Sequence, residues 1–334
     1  MRFSHIKTSV LEQFKAPQGN KIVPFILGAP GGGKSAVARD IVSSLGIEQS
    51  KVIEFTASLR DPVDVLGVPD VSGDYTRWVP PQEFFQIRQG QGPCALILEE
   101  LSDAPVPMQN ALCGVIYDRR AGNLQLSDNL FIIATGNRTE DKSGANRITS
   151  KLANRTRRFE FNENLEDWTE WALDNDIDPV LIQFLRFRPG MLSDFDPNRF
   201  ANPTPRSWER VNLIPASLDT GLFYDNVAGE VGEGAAAEYT GFRRIYLGLP
   251  DVDSVLLDPK GADVPADPAT LYALTGAIAR KATKDNFSRV SDYLGRLPSE
   301  FNVMATRDSI RLQPDIKNSK SFLEWAAKYS EVLM

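Results

Sequence analysis

Histidine and cysteine are scarce in this chain of 334 residues, which has one histidine and two cysteines. His5 alone cannot supply a Ser-His-Asp triad or a histidine-based metal site. Cys94 and Cys113 each lie in an apolar stretch, which is typical of buried, reduced thiols. Nucleophilic catalysis by a histidine-activated residue and a cysteine- or histidine-held metal are therefore excluded.

Long apolar runs are missing as well. No run reaches the roughly 18 residues that a membrane helix needs, and the N-terminal segment, residues 1–14, has no continuous apolar stretch typical of a secretory signal. The sequence therefore predicts a soluble, cytoplasmic protein with no membrane partner.

Positive charge is not in surplus, because 37 Lys and Arg residues face 44 Asp and Glu residues, giving a net charge of −7. Contacts to phosphate backbones require a basic face. This balance disfavours nucleic acid as a general partner, although it leaves room for a small basic channel.

Apolar strand-like segments alternate with helical ones over about the first 160 residues. The predicted strands are 21–27, 52–55, 94–98, 129–135 and 158–161, and the two clearest helices are 35–45 and 105–120. This alternation is typical of an α/β fold with a parallel sheet flanked by helices. After Phe161 the apolar residues recur at helical spacing, with a helix beginning at Thr204-Pro205 and an Asp- and Pro-rich loop over 249–268. We therefore divide the chain into a core (1–161) and two helical regions (162–248 and 249–334).

One glycine-rich turn fits the pattern G-x-x-x-x-G-K-[ST] in full; its residues are Gly28, Ala29, Pro30, Gly31, Gly32, Gly33, Lys34 and Ser35. It lies between an apolar strand and a helix, as a phosphate-binding loop does. Its glycines let backbone N–H groups turn toward phosphate oxygens, and the helix directs its positive end at the same place. We expect Lys34 to face the β- and γ-phosphates of ATP and the Ser35 hydroxyl to bind Mg²⁺.

Two acids, Glu99 and Glu100, end the apolar strand at 94–98. In a parallel sheet this puts both carboxylates at the edge where the glycine-rich loop lies. We expect one acid to organise Mg²⁺ and the other to polarise the attacking water.

The order of these motifs resembles AAA+ ATPases of the MoxR-like branch, phage or bacterial type, whose second helix carries an insert. The resemblance covers about the first 215 residues. It implies a P-loop AAA+ core, then an α-helical lid and a helical C-terminal extension. By position, Glu100 matches the catalytic glutamate, and Glu99 stands where the family usually has a metal-side aspartate.

The resemblance also assigns three further polar residues. Asn137 matches sensor 1, which orients the attacking water. Arg155 matches the finger that reaches the ATP of a neighbouring subunit, with Arg157 and Arg158 as alternatives. Arg206, in Pro-Thr-Pro-Arg, matches the sensor-2 arginine of the lid.

Two segments, 58–81 and 118–128, stand where MoxR-like proteins have inserts facing a central channel. Tyr75 and Leu124 are the candidate channel contacts, and an ordinary surface hairpin is the alternative.

The resemblance implies an ATPase that forms a ring of identical subunits, expected to be a hexamer. Its partner would be a protein client or adaptor, for which a von Willebrand factor A-like protein is one candidate. The alternatives are a nucleic-acid motor or loader, and a nucleotide-gated scaffold with weak hydrolysis.

Overall fold

The computed structural model of the chain describes residues 1–141 and 146–329. The chain forms two compact units: residues 1–167 together with 195–198, and residues 168–194 together with the chain from Arg199 onward. Both predicted helical regions fall largely in the second unit, and their division at 248/249 stays a prediction.

The first unit is built on a five-stranded sheet in which every neighbouring pair is parallel. Its strands are β1 (Val23–Gly28), β2 (Val52–Thr56), β5 (Cys94–Glu99), β8 (Leu130–Asn137) and β9 (Thr156–Glu160), in the order β2-β5-β8-β1-β9. Parallel neighbours require crossover connections, and here these carry the helices α2 (Lys34–Ser44), α3 (Val63–Leu66), α4 (Val106–Cys113) and α5 (Ser150–Ala153). A further helix, α1 (Phe3–Lys15), precedes β1.

Apolar side chains cover both faces of this sheet, as its nearly continuous apolar strands predict. Along β5, Leu96 and Leu98 belong to a core that includes residues of α4. Ala95 and Ile97 belong to a second core, which is formed with α1 and α2. The carboxyl ends of the strands are thus held at one edge of a sheet packed on both sides.

Two short hairpins lie in the predicted inserts. Strands β3 (Val68–Asp70) and β4 (Arg77–Val79) pair within 58–81, and β6 (Arg120–Ala121) and β7 (Leu124–Gln125) pair within 118–128. Tyr75 is 81% exposed and Trp78 49% exposed. Leu124 instead packs partly buried against the core. Channel contact by Tyr75 and Leu124 stays a prediction.

The helix predicted over 105–120 is shorter than expected. It is α-helical only to Cys113, and Gly114–Asp118 then forms a π-helical turn. The turn ends at Arg119, whose φ of 53° is left-handed, and β6 begins at the next residue. Single π-helical turns of this kind are frequent at functional sites.

The second unit is helical. Its elements are α6 (Leu165–Asp174, which begins in the first unit), α7 (Pro179–Phe187), α8 (Pro205–Asn212), α9 (Thr220–Val231), α10 (Glu233–Leu247), α11 (Val252–Leu257), α12 (Pro268–Lys281), α13 (Phe287–Leu294), α14 (Ser299–Leu312) and α15 (Lys320–Lys328). Thr204 caps α8 with Pro205 at its first position, as predicted. The segment 249–268, predicted as a loop, contains the short helix α11, which the Asp251 side chain caps.

No helix within residues 1–141 and 146–329 combines the length and the apolar character needed to cross a bilayer. The predicted α/β fold class is confirmed: a core with a parallel sheet flanked by helices precedes a helical C-terminal part.

Candidate nucleotide site

The glycine-rich loop connects the end of β1 to the start of α2. Gly31 and Gly33 have φ values of 72° and 101°, a left-handed region that favours glycine. At Gly28, a Cβ atom would lie 2.9 Å from the Phe161 carbonyl oxygen. The loop backbone therefore depends on glycine at these three positions.

The Lys34 ammonium group lies among hydrogen-bond acceptors at the carboxyl edge of the sheet. Its Nζ donates to the carbonyl oxygens of Gly28 (3.0 Å) and Ala29 (2.7 Å) and to Asn137 Oδ1 (2.9 Å). Asn137 is the last residue of β8 and stands beside Gly28 in the register of the sheet. The structure thus brings together the predicted P-loop lysine and the predicted sensor-1 asparagine.

A third polar residue joins this pair, and the sequence analysis did not identify it. Asn137 Nδ2 donates to Asp103 Oδ2 at 2.7 Å, and Asp103 lies in the turn after β5. The Asn137 side chain therefore bridges the Lys34 ammonium group and the Asp103 carboxylate.

Glu99, the predicted metal-side acid, is held by an arginine of α2. Arg39 Nη2 lies 3.2 Å from Glu99 Oε1, while the guanidinium also makes two hydrogen bonds to Glu54, at 2.9 and 2.8 Å. The hydrogen bond from Arg39 lowers the pKa of Glu54. Arg39 thus links α2 to β2 and β5 and occupies one oxygen of Glu99.

Glu100, the predicted catalytic acid, has a left-handed backbone with φ of 53°. Its side chain is directed to the segment after β2, where the Ser58 hydroxyl donates to Glu100 Oε2. Non-glycine residues in this conformation carry some strain, which is found most often at functional sites. This oxygen thus already accepts one hydrogen bond, and the carboxylate keeps further lone pairs that could accept from a water.

The residues present fit Mg²⁺ bound together with a nucleotide. Within the described residues, no three His, Cys, Asp or Glu side chains converge as a ready-made metal site. Mg²⁺ commonly binds to one or two protein ligands and completes its shell with phosphate oxygens and water. Ser35, in the first turn of α2, and Glu99 suit that role, since one supplies a hydroxyl and the other a carboxylate.

Glu163 lies against the glycine-rich loop at Gly32. A Cβ atom at Gly32 would come within 1.9 Å of Glu163 Oε1. That oxygen is buried and has no hydrogen-bond donor among the described residues. The close approach explains the middle one of the three consecutive glycines, because a side chain at position 32 would displace the carboxylate.

The three candidate finger arginines have different surroundings. The Arg155 guanidinium lies over the ring of Tyr117, 4.9 Å from its centroid, and Nη1 donates to the Lys151 carbonyl oxygen. Arg157 instead donates to Gln13 at 2.8 Å, and Arg158 pairs with Glu160. Tyr117 belongs to the π-helical turn and is 68% exposed. Arg155 is therefore the arginine of the three that stacks on an exposed aromatic ring; it is itself half-buried, whereas Arg157 and Arg158 are exposed.

Arg206 lies in the second unit, at the second position of α8. Its side chain is exposed, while its neighbours Pro205 and Ser207 are buried. Its predicted role as sensor 2 stays a prediction.

We expect Gly136→Ala to destabilise the first unit. A Cβ atom there would lie 2.7 Å from Ser102 Oγ and 2.9 Å from Phe25 Cε2, and overpacking of this kind costs about 1–3 kcal/mol. Urea unfolding measures the loss. Gly73→Ala is the matched control, since no atom lies within 4 Å of its Cβ position. Equal stability of the two variants would contradict the close packing around Gly136.

Three residues of the site were missed from sequence: Asp103, Ser58 and Arg39. Ser58 follows β2 and Asp103 follows β5, so both come after strands whose carboxyl ends lie at this edge. A polar residue directly after such a strand can thus be identified from sequence as a candidate for the site. The direction in which its side chain extends cannot be read from residue spacing. Arg39 lies one helical turn beyond Ser35, which is the signal that places it near the site.

No protein-family model and no curated protein sequence matches this chain. Solved structures with similar folds include NtrX from Brucella abortus, at 15% identity, covering 91% of this chain and 67% of that one, with a TM-score of 0.40. A DNA polymerase III gamma subunit-related protein from Thermotoga maritima has 12% identity, with 93% and 99% covered and a TM-score of 0.38. A RuvB variant from Thermotoga maritima has 14% identity, with 83% and 82% covered and a TM-score of 0.41. Similarity at this level carries no inference about function.

Proposed function

We propose that the chain is an ATPase of the AAA+ type. The observation that carries the proposal is the contact of Lys34, in a complete P-loop sequence, with Asn137 at the carboxyl edge of the sheet. A chance run of glycines, the alternative origin of such a turn, gives no reason why the residue that ends the neighbouring strand β8 should be polar and accept a hydrogen bond from its lysine.

In the proposed reaction, water attacks the γ-phosphorus of ATP, the bond to the bridging oxygen breaks, and ADP and phosphate are released. Lys34 and the loop N–H groups hold the phosphates. Ser35 and Glu99 would hold Mg²⁺, which would supply charge neutralisation on the phosphates when bound. Glu100 takes the proton of the water, and Asn137 orients that water.

We further propose a MoxR-like role, in which a ring of identical subunits, expected to be six, uses ATP to remodel or mature a protein client. The resemblance of motif order supports this proposal. Arg155 would complete the site of the adjacent subunit, and its position over the exposed ring of Tyr117 suits that use. Arg206 would contact the γ-phosphate, and a client or adaptor, with a von Willebrand factor A-like protein as one candidate, would bind through residues 161–334.

A nucleotide-gated scaffold is the second candidate. It is favoured by one observation: both acids of the site already have partners, Glu99 with Arg39 and Glu100 with Ser58. Full turnover by the purified protein would exclude the scaffold. Stimulation of turnover by DNA and not by protein would instead favour a nucleic-acid motor.

We expect Lys34→Ala to weaken ATP binding. Loss of a charged hydrogen-bond donor costs about 1.5–3 kcal/mol, or roughly 10- to 100-fold in affinity. Titration with a fluorescent ATP analogue in the presence of Mg²⁺ measures the change. Lys21→Ala is the matched control, because Lys21 is an exposed lysine at the end of a short helical turn outside the loop. Unchanged affinity in Lys34→Ala would contradict the proposed phosphate site.

A further inference from the structure

The orientation of the Asn137 amide is fixed by its two partners. Its Oδ1 accepts from Lys34 Nζ at 2.9 Å, and its Nδ2 donates to Asp103 Oδ2 at 2.7 Å. An ammonium group can only donate and an ionised carboxylate can only accept. The opposite orientation would therefore set oxygen against oxygen and NH₂ against ammonium.

Asp103 is itself connected to the end of β8 through the Ser102 hydroxyl. The Ser102 hydroxyl donates to Asp103 Oδ1 at 2.8 Å and accepts from the backbone N–H of Asn137 at 2.7 Å. Ser102 is 1% exposed. Both carboxylate oxygens of Asp103 are thus engaged, one by Ser102 and one by the Asn137 side chain.

Lys34 has three N–H groups, and Gly28, Ala29 and Asn137 all accept from them. To donate to a phosphate oxygen, the ammonium must give up at least one of these acceptors. If Lys34 releases Asn137, the Asn137 Oδ1 loses the ammonium group as its donor. The hydrogen bond from Asn137 Nδ2 to Asp103 does not involve Lys34 and can remain. A water at that position can then donate to Oδ1.

We propose that Asp103 is a positioning residue that keeps the amide oxygen of Asn137, and not its NH₂ group, turned toward the nucleotide. Asn137 then orients the attacking water by accepting one of its hydrogens, while Glu100 accepts the other. This inference rests on the proposed ATPase function and deepens it.

The kinetic test uses Asp103→Ala and Asp103→Asn in the full chain. We expect kcat of Asp103→Ala to fall about 10- to 100-fold, the range for a lost hydrogen bond to a charged group. KM and the affinity for a non-hydrolysable ATP analogue should stay within about twofold, because Asp103 acts on the water and not on phosphate binding. Asp103→Asn should retain more activity, since its amide oxygen can still accept from Asn137. Asp128→Ala, at an exposed acid on the same unit, is the control.

A double-mutant cycle tests whether Asp103 acts through Asn137. In an Asn137→Ala background, Asp103→Ala should have no further effect on kcat. Additive losses would overturn the inference, as would a normal kcat in Asp103→Ala. A parallel loss of analogue affinity would also overturn it, because that loss signals general damage to the site.

A readout that is independent of hydrolysis separates this inference from the ATPase proposal. In protein labelled with ¹⁵N-asparagine, the side-chain NH₂ resonances of Asn137, assigned by their loss in Asn137→Ala, should move in Asp103→Asn without nucleotide. Unchanged resonances would overturn the inference even if the wild-type protein hydrolyses ATP. Absence of hydrolysis in the wild type with moved resonances would overturn the ATPase proposal and leave the placement of the amide intact.

Discussion

Glu100→Gln should bind ATP with wild-type affinity and hydrolyse it about 10²- to 10⁴-fold more slowly, the contribution of a positioned general base. The amide retains the size of the side chain but cannot take the proton of the attacking water. The left-handed backbone at position 100 is the same for both side chains, so the folded state should be little affected. Phosphate release at saturating ATP, together with analogue binding, measures the two effects separately.

Two control variants show whether the loss of rate comes from the missing carboxylate of Glu100. Glu48→Gln changes an exposed glutamate outside the site and should leave the rate unchanged. Ser58→Ala removes the partner of Glu100 but keeps the carboxylate, so its rate should stay at or above that of the wild type. If Ser58→Ala and Glu100→Gln were equally slow, Glu100 would act through its contact with Ser58 and not as a base. Normal turnover in Glu100→Gln would end the assignment.

Arg155→Ala should lower hydrolysis by roughly 10³- to 10⁵-fold, the range known for arginine fingers, without loss of ATP binding in the isolated subunit. The planar, permanently charged fork is suited to charge that develops on transferring phosphate. Arg157→Ala and Arg158→Ala are matched controls on the adjacent strand, where Gln13 and Glu160 hold the side chains. A comparable loss in either control would move the finger to that position.

Mixing separates action between subunits from action within one. Inactive Arg155→Ala combined with inactive Glu100→Gln should recover part of the activity, because some interfaces then contain one intact arginine and one intact glutamate. Specific activity of the wild type should also rise with protein concentration. If native mass spectrometry shows mixed assemblies and they remain inactive, Arg155 does not act in trans.

The sequence predicted the parts of the site that lie on regular elements. The apolar runs that became β1, β5 and β8 were readable because both faces of a parallel sheet are buried. Their order along the chain placed Lys34, Glu99 and Asn137 at one edge. The strand register then brings Gly28 beside Asn137, which explains why Lys34 and Asn137 meet.

What the sequence could not predict depends on side-chain direction and on breaks in helical geometry. Asp103 lies in a turn and Ser58 in a short 3₁₀ helix, Ala57–Leu59, and in such short elements spacing does not determine which way a side chain extends. The pairing of Glu99 with Arg39 depends on a rotamer choice across two elements. The π-helical turn after Cys113 could not be distinguished from a continuing α-helix, because its residues extend the helical pattern of apolar side chains that precedes it.

The distribution of tryptophan between the two units has an optical consequence. Of the five tryptophans, Trp78 alone falls in the first unit, in the exposed β3–β4 hairpin. The other four fall in the second unit: Trp168, Trp171, Trp208 and Trp325. Excitation at about 295 nm selects the indole of tryptophan over the phenol of tyrosine. Once Trp78 is replaced by phenylalanine, the emission therefore reports the helical unit almost alone. The difference between the two spectra isolates one indole on the insert, so each unit can be followed by its own intrinsic fluorescence without any added dye.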